Sequence, residues 1–223
     1  MAAPPPEPSE PRLPLSRERI LESALALVDE SGIEALTMRK LGQELGFEAL
    51  SLYNHVASKD EVLDGILDIV LAEMELPSAG GDWQASVRAS ALSVHQALRT
   101  HSWAAPLMLS PDRILSARLR YMDALMGRLR DGGFSADTTY HAYHVLDGHI
   151  FGFSLWETSH SSLSEAQMSD LADWFRERVT PATLPHLFEH GQQHFTEGPH
   201  REVSAFEFGL DLILTGLEKL RNA

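Results

Sequence analysis

LTMRKLGQELGFEALSLYNHVASKDEVL, residues 36–63, sets capping residues and glycines between apolar residues at helical spacing. Thr37 offers a hydroxyl to the orphan N–H groups of a helix start, and Gly46 tolerates the left-handed conformation that ends one, so Met38 to Leu45 reads as a short helix. Gly46, Phe47 and Glu48 make a turn, and a further helix runs from about Ala49 to His55. Two short helices around a glycine-containing turn form a helix-turn-helix, whose second helix is narrow enough to enter the major groove of DNA. The same geometry occurs in helical proteins that never meet DNA, so spacing alone leaves both readings open.

On the N-terminal side, Ile20, Leu21, Ala24, Leu25, Leu27 and Val28 follow a helical period, with Ser16 as N-cap and Gly32 past the end. On the C-terminal side, Ser58 and Glu61 have capping-box spacing, each able to satisfy the other's backbone N–H. The helix they start carries Val62, Leu63, Ile66, Leu67, Ile69, Val70 and Met74 on its apolar face and reaches toward Pro77. Leu41, Leu45, Phe47, Leu52 and Val56 are the expected core of this module. Pro77 to Gly81 reads as the boundary between two modules, and helical stretches follow at about Trp83–Thr100, Pro111–Arg130, Ala136–Thr158 and Glu165–Val179. Thr180 to His200, with Pro181, Pro185 and Pro199, reads as irregular. A last helix, about Glu202–Leu220, sets Phe206, Leu210, Ile213, Leu214, Leu217 and Leu220 on one face. The pattern is all-helical, with no alternating strand, glycine-rich phosphate loop or solenoid-period repeat.

The run Leu36 to Phe47, followed by Ser51-Leu52-Tyr53-Asn54-His55-Val56 and Lys59-Asp60-Glu61-Val62-Leu63, closely resembles the DNA-binding signature of the TetR family of regulators. A weaker resemblance to the tetracycline-repressor type of ligand-binding domain runs through Gly133-Phe134-Ser135, Gly148 to Glu157 and Phe208 to Lys219. The resemblance implies an all-α chain with an N-terminal three-helix helix-turn-helix domain and a larger C-terminal helical domain for ligand binding and dimerisation. The expected organisation is a disordered tail over 1–14, the DNA-binding domain with its linking helix over 15–76, and the ligand-binding and dimerisation domain over 77–223. The function implied is a ligand-responsive repressor that sits on palindromic operator DNA as a homodimer and is released by a small-molecule inducer. In that family the last long helices of two subunits form a four-helix bundle, and 136–158 with 202–220 fit that place.

Physical roles can be set beside the resemblance. Arg39 has the planar fork that pairs with guanine or phosphate, or it is an ordinary surface arginine. Ser51, Tyr53, His55 and Lys59 suit phosphate contacts, which fix register without carrying sequence information; Tyr53 and His55 could equally pack between helices. Asn54 either pairs with adenine or faces solvent, and Thr37 is a cap within reach of the backbone. Ala49 and Leu50 stand at the tip of the recognition helix, where apolar side chains can touch a thymine methyl but form no hydrogen bond. This departure from the usual pattern puts any carried-over operator sequence in doubt.

Composition bounds the alternatives. With no cysteine in 223 residues, disulfides, thiolate metal sites and thiol nucleophiles are excluded. The proline-rich start lacks a basic n-region and an apolar h-region, so no signal peptide is expected; neither is a membrane span, and a cytoplasmic location fits. A formal net charge of −14 argues against a protein that coats nucleic acid non-specifically. DNA contact must therefore come from placement.

For the ligand, an apolar cavity with a few polar groups is needed. His95, Trp103, Met108, Tyr121, Met122, Leu125, Met126, His144, Asp147, Phe151 and Trp156 are the candidates, each of which could instead be plain core. Where tetracycline-binding relatives carry drug and magnesium ligands, this chain has Glu75, Ser90, Met108 or Leu109, Leu125 and Glu157. Only Glu157 keeps a useful group, so a different inducer is expected, hydrophobic or aromatic. His186, His190 and His194 recur every fourth residue, but Gly191 and nearby prolines weaken the helix that would gather them, and solvated histidines are expected. His141, His144 and Asp147 share a face better suited to buried hydrogen bonds or ligand contact than to metal. Gly152 to Trp156 lacks the closing glycine and preceding strand of a nucleophile elbow. No cofactor and no catalytic role are expected; the rival class is a helical small-molecule-binding protein without a DNA role.

Overall fold

The computed structural model describes residues 14–113, 115–161, 164–195 and 204–221, which leaves the tail assigned to residues 1–14 almost wholly outside the described residues. Those residues form eleven α-helices and one 3₁₀ turn, Ile33–Ala35, with no strand among them. Contacts divide the chain into two compact units, 1–69 and 70–223. The division falls inside a helix, seven residues before the border read at 76/77.

In the first unit α1 spans Arg17–Ser31, α2 Met38–Leu45 and α3 Ala49–Leu52, and α4, Lys59–Glu73, runs past the division. The caps explain the bounds. Ser16 Oγ accepts from Arg19 N at 3.2 Å and Thr37 Oγ1 from Lys40 N at 3.1 Å, while Gly46 closes α2 at φ 74, ψ 27, a conformation open chiefly to glycine. Gly42 serves packing instead. A Cβ there would lie 2.8 Å from the Phe47 carbonyl oxygen and 3.1 Å from Ala49 N, so only glycine lets α2 and α3 approach this closely. Ile20, Leu36, Leu41 and Leu52 are fully buried, with Leu45 and Val56 nearly so. Phe47, expected in this core, is only half-buried, its ring 5.8 Å from the Arg19 guanidinium.

Two local expectations need correction here. The recognition helix is one turn, and residues 53–55 continue as tightened i→i−3 turns, with Tyr53 N donating to Leu50 O, Asn54 N to Ser51 O and His55 N to Leu52 O. In the Ser58 box, Glu61 N donates to Ser58 Oγ at 3.1 Å, but the Glu61 carboxylate reaches Ala57 N at 2.6 Å, one residue earlier than expected.

The second unit holds the last residues of α4 and then α5 (Trp83–Thr100), α6 (Ala104–Met108), α7 (Ser116–Asp131), α8 (Ala136–Ser161), α9 (Glu165–Arg178), α10 (Pro185–Phe195) and α11 (Ala205–Arg221). α5, α7 and α8 pack mutually, α11 lies against α5 and α8, and α6 against α8. The core runs through Val94, Leu98, Leu125, Leu129, Leu146, Phe151 and Phe206. The helix read from about Pro111 to Arg130 begins only at Ser116, as α7, and α6 lies ahead of it in residues assigned to no helix. The segment read as irregular contains α10. Pro185 occupies its first position, where a missing N–H costs nothing, and Gly191 faces Phe175, whose Cε1 would stand 2.3 Å from a Cβ at that position. The glycine that seemed to break the helix is what seats it on α9.

Candidate nucleic-acid interface and ligand-facing interior

On the first unit the assigned DNA-facing residues come together on α2, α3 and the turns beside them. Leu50 is 77 % exposed and Tyr53 47 %. Thr37, Arg39, Asn54, His55 and Lys59 are exposed, and Ala49 and Ser51 are half-buried. Tyr53 and His55 therefore do not pack as internal spacers; Leu52 and Val56 fill that role from the other side of the chain. Between Thr37 and Lys59 three basic residues, Arg39, Lys40 and Lys59, stand against two acids, Glu44 and Glu48, in a chain whose net charge is −14. Glu61, near this surface, is turned to structural use. The Ala57 N–H and the Arg17 guanidinium, 3.3 Å away, hold its carboxyl below the usual carboxylate range.

In the second unit, two polar clusters lie in the interior. In one, the Arg118 guanidinium donates to Asp147 Oδ1 at 2.6 Å and lies 4.3 Å from the Phe151 ring centroid and 5.5 Å from that of Tyr121. Arg118 is 8 % exposed, and its Nη1 is buried without a hydrogen-bond partner. A buried ion pair of this kind holds position more than it stabilises, because desolvation offsets most of its attraction. Burial pushes the phenols of Tyr121 and Tyr143 above their usual range, and the Asp147 charge adds to that.

In the second cluster, His95 Nδ1 is 3.1 Å from Ser154 Oγ and Nε2 is 3.3 Å from Glu157 Oε2. The His95 ring stacks on Phe206 at 3.8 Å with an interplanar angle of 7°. Burial lowers its pKa; the Glu157 carboxylate opposes the shift. His149 stacks on the same Phe206 at 4.9 Å and meets its carbonyl oxygen through Nε2 at 2.9 Å.

Of the residues assigned to ligand contact, Tyr121, Asp147 and Phe151 converge on Arg118, and His95 belongs to the second cluster. Met108 and Leu125 are buried, and Trp103, Met122 and Met126 are half-buried. His144 and Trp156 are exposed and do not face this interior. His144 Nδ1 turns back to Tyr140 O at 2.8 Å on its own helix, and His141 is exposed beside it, so the expected buried face of His141, His144 and Asp147 is reduced to Asp147. His186 and His190 are exposed on α10, and the side chain of His194 lies outside the described residues. Sequence reading missed Arg118, Ser154 and Phe206. A signal existed for the first: Arg118, Tyr121, Leu125 and Arg128 recur at helical spacing and are the buried stripe of α7.

Two clefts open elsewhere in this unit. One of ≈ 280 Å³ is lined by Asp82, Trp83, Arg128, Glu218 and Arg221, among others, and one of ≈ 430 Å³ by Glu73, Glu75, Leu92, Ser93 and Gln96, among others. The assigned ligand residues line neither.

Residues 20–66 match the family model for bacterial regulatory proteins of the tetR family, and residues 76–221 match that for the tetracyclin repressor-like C-terminal domain. The chain is 30 % identical to the class D tetracycline repressor protein of Escherichia coli over 213 residues, covering 90 % of this chain and 93 % of that protein. It is 28 % identical to the HTH-type transcriptional repressor DrrR1 of Streptomyces coeruleorubidus over 94 % of this chain and 80 % of that one. Among solved structures, ActR of Streptomyces coelicolor in complex with actinorhodin superposes with a TM-score of 0.70 at 28 % identity, covering 95 % of this chain and 100 % of that chain.

Proposed function

The chain belongs to the TetR family of bacterial regulatory proteins, and from that premise we propose that it is a ligand-responsive transcriptional repressor and not a catalyst. It binds palindromic operator DNA as a homodimer in the cytoplasm and leaves it when a small molecule enters the C-terminal unit. The observation that carries the reading is the surface of α2, α3 and the following turns, where Arg39, Leu50, Tyr53, Asn54, His55 and Lys59 all face solvent above a closed apolar core. Arg39 and Asn54 can pair with base edges; Ser51, Tyr53, His55, Lys59 and Thr37 address the phosphates.

One such unit neutralises few phosphates, so tight binding requires two half-sites about one helical turn apart. α8 and α11 support a homodimer, since they pack on one another and still expose Tyr140, Val145 and Trp156 on one and Phe208, Leu212 and Leu220 on the other. The inducer is hydrophobic or aromatic, met by Tyr121, Phe151, Leu125 and Met122 with Arg118, Asp147 and His95 as polar anchors. A ligand shifts the operator equilibrium only through its preference for one state, typically about 1–3 kcal/mol of coupling. α4, in which the division between the units falls, is the element through which that coupling passes.

Selection from a randomised duplex pool with the full chain yields the operator, and binding is then measured against Tyr53→Ala/Lys59→Ala. Operator affinity collapses in the variant while helicity and ligand-induced thermal shift persist. Equal affinity in variant and parent would overturn the reading.

A further inference from the structure

We propose that Leu50 reads 5-methyl groups: each operator half-site carries a pyrimidine whose C5 methyl packs on this side chain, and thymine and 5-methylcytosine both satisfy it. The inference rests on the DNA-binding reading above and names what that surface recognises.

Leu50, at 77 %, is the most exposed large apolar side chain among the described residues. A lone exposed leucine is ordinary on a protein surface; this one stands in the first turn of the helix that follows the helix-turn-helix turn, two residues before Leu52, which is fully buried. The anchor at Leu52 fixes the roll of α3 and so holds Leu50 outward. In helix-turn-helix docking the early residues of the second helix meet base edges in the major groove.

There a thymine presents O4 and the C5 methyl, a cytosine its N4 amino group, and an adenine N6 and N7. An aliphatic side chain has no donor or acceptor, so its favourable contact is confined to the methyl. It cannot tell O4 from N4. The carbon that bears the methyl in thymine bears the same group in 5-methylcytosine, and Leu50 therefore ranks bases by methylation at that carbon and not by Watson–Crick identity. Ala49, beside it, is half-buried and equally without hydrogen-bonding groups, so this turn offers no competing polar readout from either residue.

The experiment uses the full chain and the operator recovered by duplex selection. Each thymine is replaced in turn by deoxyuridine in both half-sites, which removes a methyl and leaves every hydrogen-bonding group in place. At the sensitive position a C·G pair is then compared with its 5-methylcytosine form. At one position, demethylation of both half-sites is expected to lower affinity about sixteenfold, about fourfold for each buried methyl, and methylation of cytosine there in both half-sites is expected to recover a similar factor. Both effects vanish in Leu50→Ala and survive in Leu50→Met, and neither variant changes the thermal midpoint, because the side chain supports nothing beneath it. No methyl-sensitive thymine, a sensitivity that persists in Leu50→Ala, or no gain from 5-methylcytosine would each overturn the proposal. A pool that enriches no duplex is a separate result, which removes the DNA-binding reading itself and the proposal with it.

Discussion

Residues 49–55 and the interior between α5, α7 and α8 arrange polar and apolar groups in opposite senses. In the first, Leu50, Tyr53, Asn54 and His55 face out over Leu52 and Val56. In the second, Arg118, Asp147, His95 and Ser154 lie among Phe151, Tyr121 and Phe206. The outer surface can lose a side chain without losing its shape, because its exposed groups are not the residues that anchor it, Leu52 and Val56. The interior cannot, since Arg118 and Asp147 meet away from water and removal of the arginine strands the carboxylate.

The strongest test of this contrast is Arg118→Met. It leaves the Asp147 carboxylate, only 16 % exposed, without its ion-pair partner, and a loss of about 3–5 kcal/mol is expected in chemical denaturation. Arg118→Met/Asp147→Leu should recover most of it, and a single variant as stable as the parent would show that the pair organises nothing. Gly42→Val comes next. Its Cβ meets backbone at 2.8 Å, so the unit is destabilised by about 1–3 kcal/mol, and operator binding should fall with it, whereas Gly46→Asn should be tolerated. Lys59→Ala then separates function from stability: operator affinity drops about tenfold and the slope of log affinity against log salt falls by about two, one for each subunit of the homodimer, with the melting midpoint unmoved.

The smallest effect concerns pH. Burial favours neutral His95 in the folded chain, so its folded pKa lies below the unfolded value of about 6.5. As pH falls through that value the unfolded chain takes the proton first; the contribution of His95 is full above about pH 6.5 and erodes below it. Thermal midpoints of the parent and of His95→Gln should differ by a constant amount above neutrality and converge as pH falls below about 6.5. A gap that widened on acidification would reverse the assignment.

The same contrast explains what was legible in the sequence. The bounds of α2 could be read because Thr37 and Gly46 act on their own neighbours, and α5 was bounded correctly because Asp82 caps it, accepting from Gln84 N at 3.0 Å. The exposure of Leu50, Tyr53, Asn54 and His55 goes with a contiguous run in which outward and inward positions alternate over a few residues. α10 was hidden because its proline and glycine act through position: one sits where an N–H is dispensable, the other where Phe175 needs space. Arg118 stands at the spacing of the buried stripe of α7, but the group that makes its burial tolerable, Asp147, is on another helix and far along the chain, so spacing alone does not single it out. Exposure of His144 and Trp156 was hidden because α8 is apolar around much of its circumference, so periodicity cannot say which stripe faces inward.

α3 is only four residues long, Ala49–Leu52. An isolated turn of that length is unstable as a peptide, since helix nucleation is unfavourable, and its form here is lent by α2 through the Gly42 contact and the Leu52 anchor. Re-engineering this protein toward a new target sequence therefore has a natural partition: positions 49, 50 and 54 are free to be rewritten, while the residues beneath them are a fixed mount that must travel together into any graft.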